Sequence, residues 1–107
     1  MKTKEPQNLT ELLTLELSNK KKALFYLNEA IKDNDMDFFL RCIKIVIDQN
    51  GGMKAVSEQA KVSRSSLYKT LSGNRSPSIH QIEKILLSIG FGFSIIHQPN
   101  KSIQTVA

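Results

Sequence analysis

The second half of the chain is cut into pieces by Asn50-Gly51-Gly52, Ser63, Gly73, Ser78 and Gly90. Glycine and asparagine accept the backbone angles that end a helix, and serine caps the start of the next one. The segments between these breaks are about ten residues each, too short to stand as isolated helices, so they must pack on something longer. The segment 37–49 fits that role, with Phe38, Phe39, Cys42, Ile43, Ile45, Val46 and Ile47. An apolar surface that wide marks a central core helix rather than a striped surface one.

The remaining elements are read around that hub. Asp35 or Asp37 is expected to cap the central helix. Upstream, Thr10 is a cap for a short helix carrying Leu12, Leu13 and Leu17, and 19–22 reads as a solvated lysine-rich connector. A helix over 23–32 places Leu24, Leu27 and Ile31 at helical spacing. Downstream, helices are expected over 53–60, with Met53, Val56 and Ala60 inward, and over 63–72, with Leu67 and Leu71 inward. Ser78 and Gln81 fit a capping box for a last helix with Ile79, Ile82, Ile85, Leu86 and Ile89 inward.

Beyond Gly90 the period changes. "FGFSIIH" (91–97) alternates and reads as one short strand that ends before Pro99. The expectation is therefore an all-α, compact bundle of five to six helices with one short C-terminal strand. Residues 1–22 read as a partly flexible extension, 23–97 as the folded domain, and 98–107 as a loose tail. A lone strand leaves backbone groups unpaired, so a second copy of the chain is the natural partner. Phe91, Phe93 and Ile95 would then be the dimerisation residues of a two-fold homodimer.

Composition narrows the function once the charge is located. The 107 residues carry a net charge of +5. Lys54, Lys61, Arg64, Lys69 and Arg75 face Glu58 alone within 53–76, so the excess is concentrated in one stretch. Such a concentration suggests a polyanionic partner. The single cysteine, Cys42, allows no internal disulfide, and no apolar run reaches the roughly 20 residues of a membrane span, which together suggest a cytoplasmic protein. His80 and His97 have no ligand-type neighbours at metal spacing, and no catalytic constellation is present. No metal, cofactor or enzymatic activity is expected.

On a helical wheel, Leu67 and Leu71 define the packed side of 63–72, with Ser65 and Lys69 nearly opposite. Two short helices separated by little more than Lys61-Val62 describe a helix-turn-helix, whose second helix enters the DNA major groove. Arg64 could bind guanine, and small serines would let the helix approach closely. Phosphates would be held by Lys54, Ser66, Tyr68, Asn74 and Arg75, and by backbone N–H groups at Gly52-Met53. The alternative is an ordinary bundle with a solvated basic face. A nonspecific nucleic-acid coat fits poorly, because no stacking aromatics accompany the basic residues.

"GGMKAVSEQAKVSRSSLYKTLSGNRSPS" resembles the helix-turn-helix of the Cro/phage-repressor superfamily. With "YLNEAIKDND" (26–35), the chain more closely resembles the HigA-like addiction-module antidotes of type II toxin–antitoxin operons, over roughly 23–97. The resemblance implies a double-stranded operator, an inverted repeat, as one partner and a RelE/ParE-like toxin as the other. It also implies repression of the protein's own operon. Carried over by position, Arg64, Ser65 and Lys69 would read bases. Two positions depart from the pattern: Lys61 stands where the turn usually has glycine, and Met53 where a glutamine often clamps a phosphate. Residues 9–32 are the region expected to meet the toxin. A free-standing phage-type repressor with no toxin partner is the other reading.

Overall fold

Met36–Gln49 (α3) is the helix around which the others gather. In the computed structural model, which describes residues 8–74 and 76–99, it is preceded by α1 (Leu9–Leu17) and α2 (Lys20–Lys32). It is followed by α4 (Gly52–Ala60), α5 (Arg64–Leu71) and α6 (Ile79–Ser88). Helices α1, α2, α4 and α5 all pack on α3, while α6 packs chiefly on α4. Phe39, Leu40, Cys42, Ile43, Val46 and Ile47 of α3 are buried, so the expected breadth of its apolar surface is observed. Asp35 caps it by accepting a hydrogen bond from the Phe38 N–H at 3.1 Å.

The first two helices differ from expectation in their starts and in their buried faces. Asn8, not Thr10, caps α1, accepting from the Glu11 N–H at 2.9 Å. Thr10 lies inside the helix, and its hydroxyl accepts a hydrogen bond from the Arg41 guanidinium. The lysine run is not a connector. Asn19 accepts from the Lys22 N–H at 3.0 Å and starts α2 there, so only Ser18 and Asn19 separate the two helices. Three cations in a first turn oppose the helix dipole. Two are offset locally: Lys22 pairs with Glu16 at 3.2 Å, and Lys20 lies over the Phe91 ring at 5.5 Å. Ala23, Leu27 and Ala30 form the buried face of α2, the two alanines allowing close approach to α3; Leu24 and Ile31 are about half exposed.

Leu13 and Leu17 hold α1 in the core, and Gln49 of α3 donates to the Thr14 carbonyl at 2.9 Å. At the other end, Ser78 caps α6 by accepting from the Gln81 N–H at 3.1 Å. Ile82, Ile85, Leu86 and Ile89 are buried as expected, but Ile79, in the first turn, is largely exposed.

The C-terminal strand is not formed. The Phe91 N–H donates to the Leu86 carbonyl at 2.8 Å and its ring packs against the core, yet 91–99 has no regular secondary structure. The alternation of "FGFSIIH" is strand-like, but a strand needs a ladder, and the described residues of this chain supply no second strand. Ile95 is 99% exposed and Phe93 43%, so two of the three side chains expected to be covered are open to solvent. No helix among the described residues is long and apolar enough to cross a membrane.

Candidate nucleic-acid interface

Gly51 (φ 101°) and Gly52 (φ 87°) turn the chain out of α3 and into α4. A Cβ on Gly51 would stand 2.8 Å from the Ala55 Cβ, so this first turn is closed to larger residues. Helix α4 ends at Lys61, which takes the left-handed conformation at φ 59°, ψ 45°. Its N–H, like that of Val62, donates to the Ser57 carbonyl, which stops the helix within one residue. Lysine, standing where glycine is usual, thus takes a left-handed backbone that is costly for an L-residue. Val62 is buried in the turn, and Ser63 opens α5 by accepting from the Ser66 N–H at 3.0 Å.

Leu67, Thr70 and Leu71 are the buried face of α5. The opposite face holds Ser65 and Lys69, both exposed, with Tyr68 exposed and Ser66 half-buried at its margins; Arg64 falls nearer the packed side but is exposed in the first turn, where it can reach past the helix end. The sequence of α5, RSSLYKTL, contains no acidic residue. Each residue assigned to base reading thus lies on one short helix, open to an approaching surface. Lys54 is exposed on α4 and Asn74 on the loop after α5, whereas Met53 is half-buried against the core. Met53 therefore offers a backbone N–H rather than a side chain. Arg75 lies outside the described residues. Of the expected dimerisation residues, Phe91 is committed to the core of its own chain, and Phe93 and Ile95 are exposed.

Clefts run along α5 on both sides. One, about 350 Å³, lies between α5 and the start of α6 and is lined by Ser66, Lys69, Ser76, Ser78 and Gln81, among others. On the α3 side, clefts of about 450 Å³ and about 550 Å³ share Lys44, Leu71 and Ser72. Tyr68 and Met53 line the first of these with Asp48; Arg41 and Gly73 line the second with Asp37. Sequence reasoning missed Lys44 and Arg41. It treated α3 as a core helix throughout, although their spacing of three residues places them on one face. Cys42 is fully buried, and that burial pushes its thiol up to about 11, which leaves it protonated and unreactive.

Residues 9–97, from α1 through the exposed tail, match the family described as "Probable addiction module antidote protein". The chain belongs to this addiction-module antidote family, an assignment that implies a toxin partner. It is also 24% identical, over 79 residues, to an uncharacterized protein of Haemophilus influenzae, a match covering 74% of this chain and 80% of the relative. No solved structure matches the chain.

Proposed function

We propose that this antidote is a HigA-like, sequence-specific DNA-binding antitoxin of a type II toxin–antitoxin module. In this reading α4 and α5 are a Cro/repressor-type helix-turn-helix that represses the protein's own operon. The observation that carries the reading is the open face of α5: Arg64 and Lys69 exposed, Ser65 between them, and no acidic residue on the helix. An arginine in the first turn of a helix bounded by small hydroxyls suits bidentate contact with guanine. The tight Lys61-Val62-Ser63 turn supports a fixed angle between the two helices.

The toxin partner is of the RelE/ParE type, and its binding surface is the α1–α2 unit. Leu12 and Leu15 on α1, and Leu24 and Phe25 on α2, are between 42% and 59% exposed there. Exposed apolar groups gathered on one unit suit a protein contact. The protein acts in the cytoplasm, without enzymatic activity, as a homodimer on an inverted repeat. Association through 91–97 would cover Phe93, Ile95 and Ile96. Membership of an antidote family favours this reading over that of a free-standing repressor.

A gel-shift titration with the duplex upstream of the protein's own gene tests the DNA half. Arg64→Ala should cost about 1–3 kcal/mol on that duplex and relax preference at one base pair. Unchanged affinity and preference would refute the assignment of α5. The toxin half is tested by growth rescue with the neighbouring gene product. Truncation is unsuitable, because Leu13 and Leu17 of α1 belong to the core; Leu12→Asp with Leu15→Asp should abolish rescue and leave DNA binding intact.

A further inference from the structure

Several cations of this chain already have partners. Lys22 pairs with Glu16, Lys32 with Glu29, Lys20 with the Phe91 ring, and Arg41 with Thr10. Lys44 is exposed on α3 and makes neither an ion pair nor a hydrogen bond among the described residues. It also stands where the two clefts along α5 meet, with Tyr68 and Met53 on one side and Gly73 and Arg41 on the other. The Ser72 hydroxyl beside it is already spent on the Lys69 carbonyl, at 2.8 Å. The Tyr68 hydroxyl has no partner among the described residues, and this side chain is 56% exposed.

We propose that the groove between α3 and α5 seats one backbone phosphate of the bound duplex, with Lys44 as its cation and the Tyr68 hydroxyl as its donor. The proposal rests on the DNA-binding reading above. A duplex laid on the Ser65–Lys69 face carries a sugar–phosphate strand past the flank of α5, and this groove is the flank on the α3 side. Its chemistry allows a single phosphate rather than a run. Asp48 lies one helical turn beyond Lys44, and Asp37 one turn before Arg41, so each end of the groove is acidic. Arg41 adds positive field but is tied to α1 through Thr10. The contact positions the duplex and reads no sequence.

The acid at the groove's end gives the test two opposite signs. Fluorescence anisotropy would be followed across a salt series with the upstream duplex and with a scrambled one of equal length. Lys44→Ala should weaken both duplexes alike, by about eightfold at 0.1 M salt, and make the salt slope shallower by about 0.9, the value of one lost phosphate contact. Lys44→Arg should bind as the parent does. Asp48→Asn should strengthen both duplexes. Thermal unfolding of each variant should match the parent, since both side chains are exposed. A Lys44→Ala protein with parental slope and affinity, while Arg64→Ala still loses preference, overturns the seat alone. A parent protein that binds neither duplex overturns the seat and the reading beneath it together. Saturable binding of inorganic phosphate, seen by NMR without DNA and lost in Lys44→Ala, would replace the duplex with a free anion as the ligand.

Discussion

Replacing Lys61 with glycine should stabilise this protein even though it removes a whole side chain. Lys61 is exposed, and its side chain makes no hydrogen bond or ion pair among the described residues, so little packing is lost. Its backbone, at φ 59° and ψ 45°, brings a Cβ close to the following carbonyl, which costs an L-residue about 1–2 kcal/mol. Glycine escapes that cost but adds about 0.5–1 kcal/mol of chain entropy to the unfolded state. The difference leaves a gain of about 0.75 kcal/mol at mid-range, or about 3 °C in midpoint for a domain of this size. Lys61→Ala is the control: it removes the same charge and stem but keeps the Cβ, and should stay within about 0.5 kcal/mol of the parent. Urea unfolding followed by far-UV circular dichroism, with the slope shared between variants, measures the ordering. A glycine variant no more stable than the alanine variant would refute the reasoning, because relief of the backbone strain would then not exceed the chain entropy that glycine adds.

Three further outcomes follow from burial. Leu13→Ala, at a position 2% exposed, should cost about 2–5 kcal/mol in urea unfolding. Leu12→Ala, at 42% exposed, should cost far less, and equal losses would mean that α1 is not docked as described. The Cys42 thiol should ignore a water-soluble disulfide reagent in native protein at mildly alkaline pH and react fully once unfolded; native-state labelling at the rate of a free thiol would contradict its burial. Burial first, and then the hydrogen bond to Glu16, raise the Tyr26 hydroxyl above its ordinary value of 10.0. The native state therefore holds that proton longer than the unfolded chain does. Its contribution to stability is complete below pH 10.0 and is lost as pH rises through the native value, so Tyr26→Phe should flatten the alkaline fall in urea midpoint.

The elements written in local chemistry were legible in the sequence. Ser63 and Ser78 cap where their side chains dictate, Gly51 and Gly52 turn where positive φ is needed, and the breadth of 37–49 marks the hub. The polar face of α5 was legible for the same reason: Leu67 and Leu71 fix which side is turned inward. What failed depended on neighbours in space. Leu24 and Ile31 have the right spacing for a core face, but Ala23 and Ala30 pack closer to α3 and leave those larger groups outside. The start of α2 was hidden because Glu16, on the preceding helix, offsets the charge of Lys22. The alternation of 91–97 was read as a strand, yet a ladder is a property of two segments, and the described residues form no strand at all. Lys44 went unremarked because membership of a core helix says nothing about that helix's outer face.

The arrangement of partners around α3 also bears on how quickly the chain finds its fold. Its neighbours α1, α2, α4 and α5 are those nearest to it in sequence, so most of the packing closes short loops. Folding from local contacts is fast, on the scale of microseconds to milliseconds for helical domains of low contact order. The pairing of α4 with α6 spans the whole of α5 and is the slower closure. Substitutions at Ile43 or Ile47 should therefore retard refolding, whereas those at Ile85 or Ile89 should mainly hasten unfolding. The α4–α5 turn would then form in the nascent core before the last helix arrives to brace it.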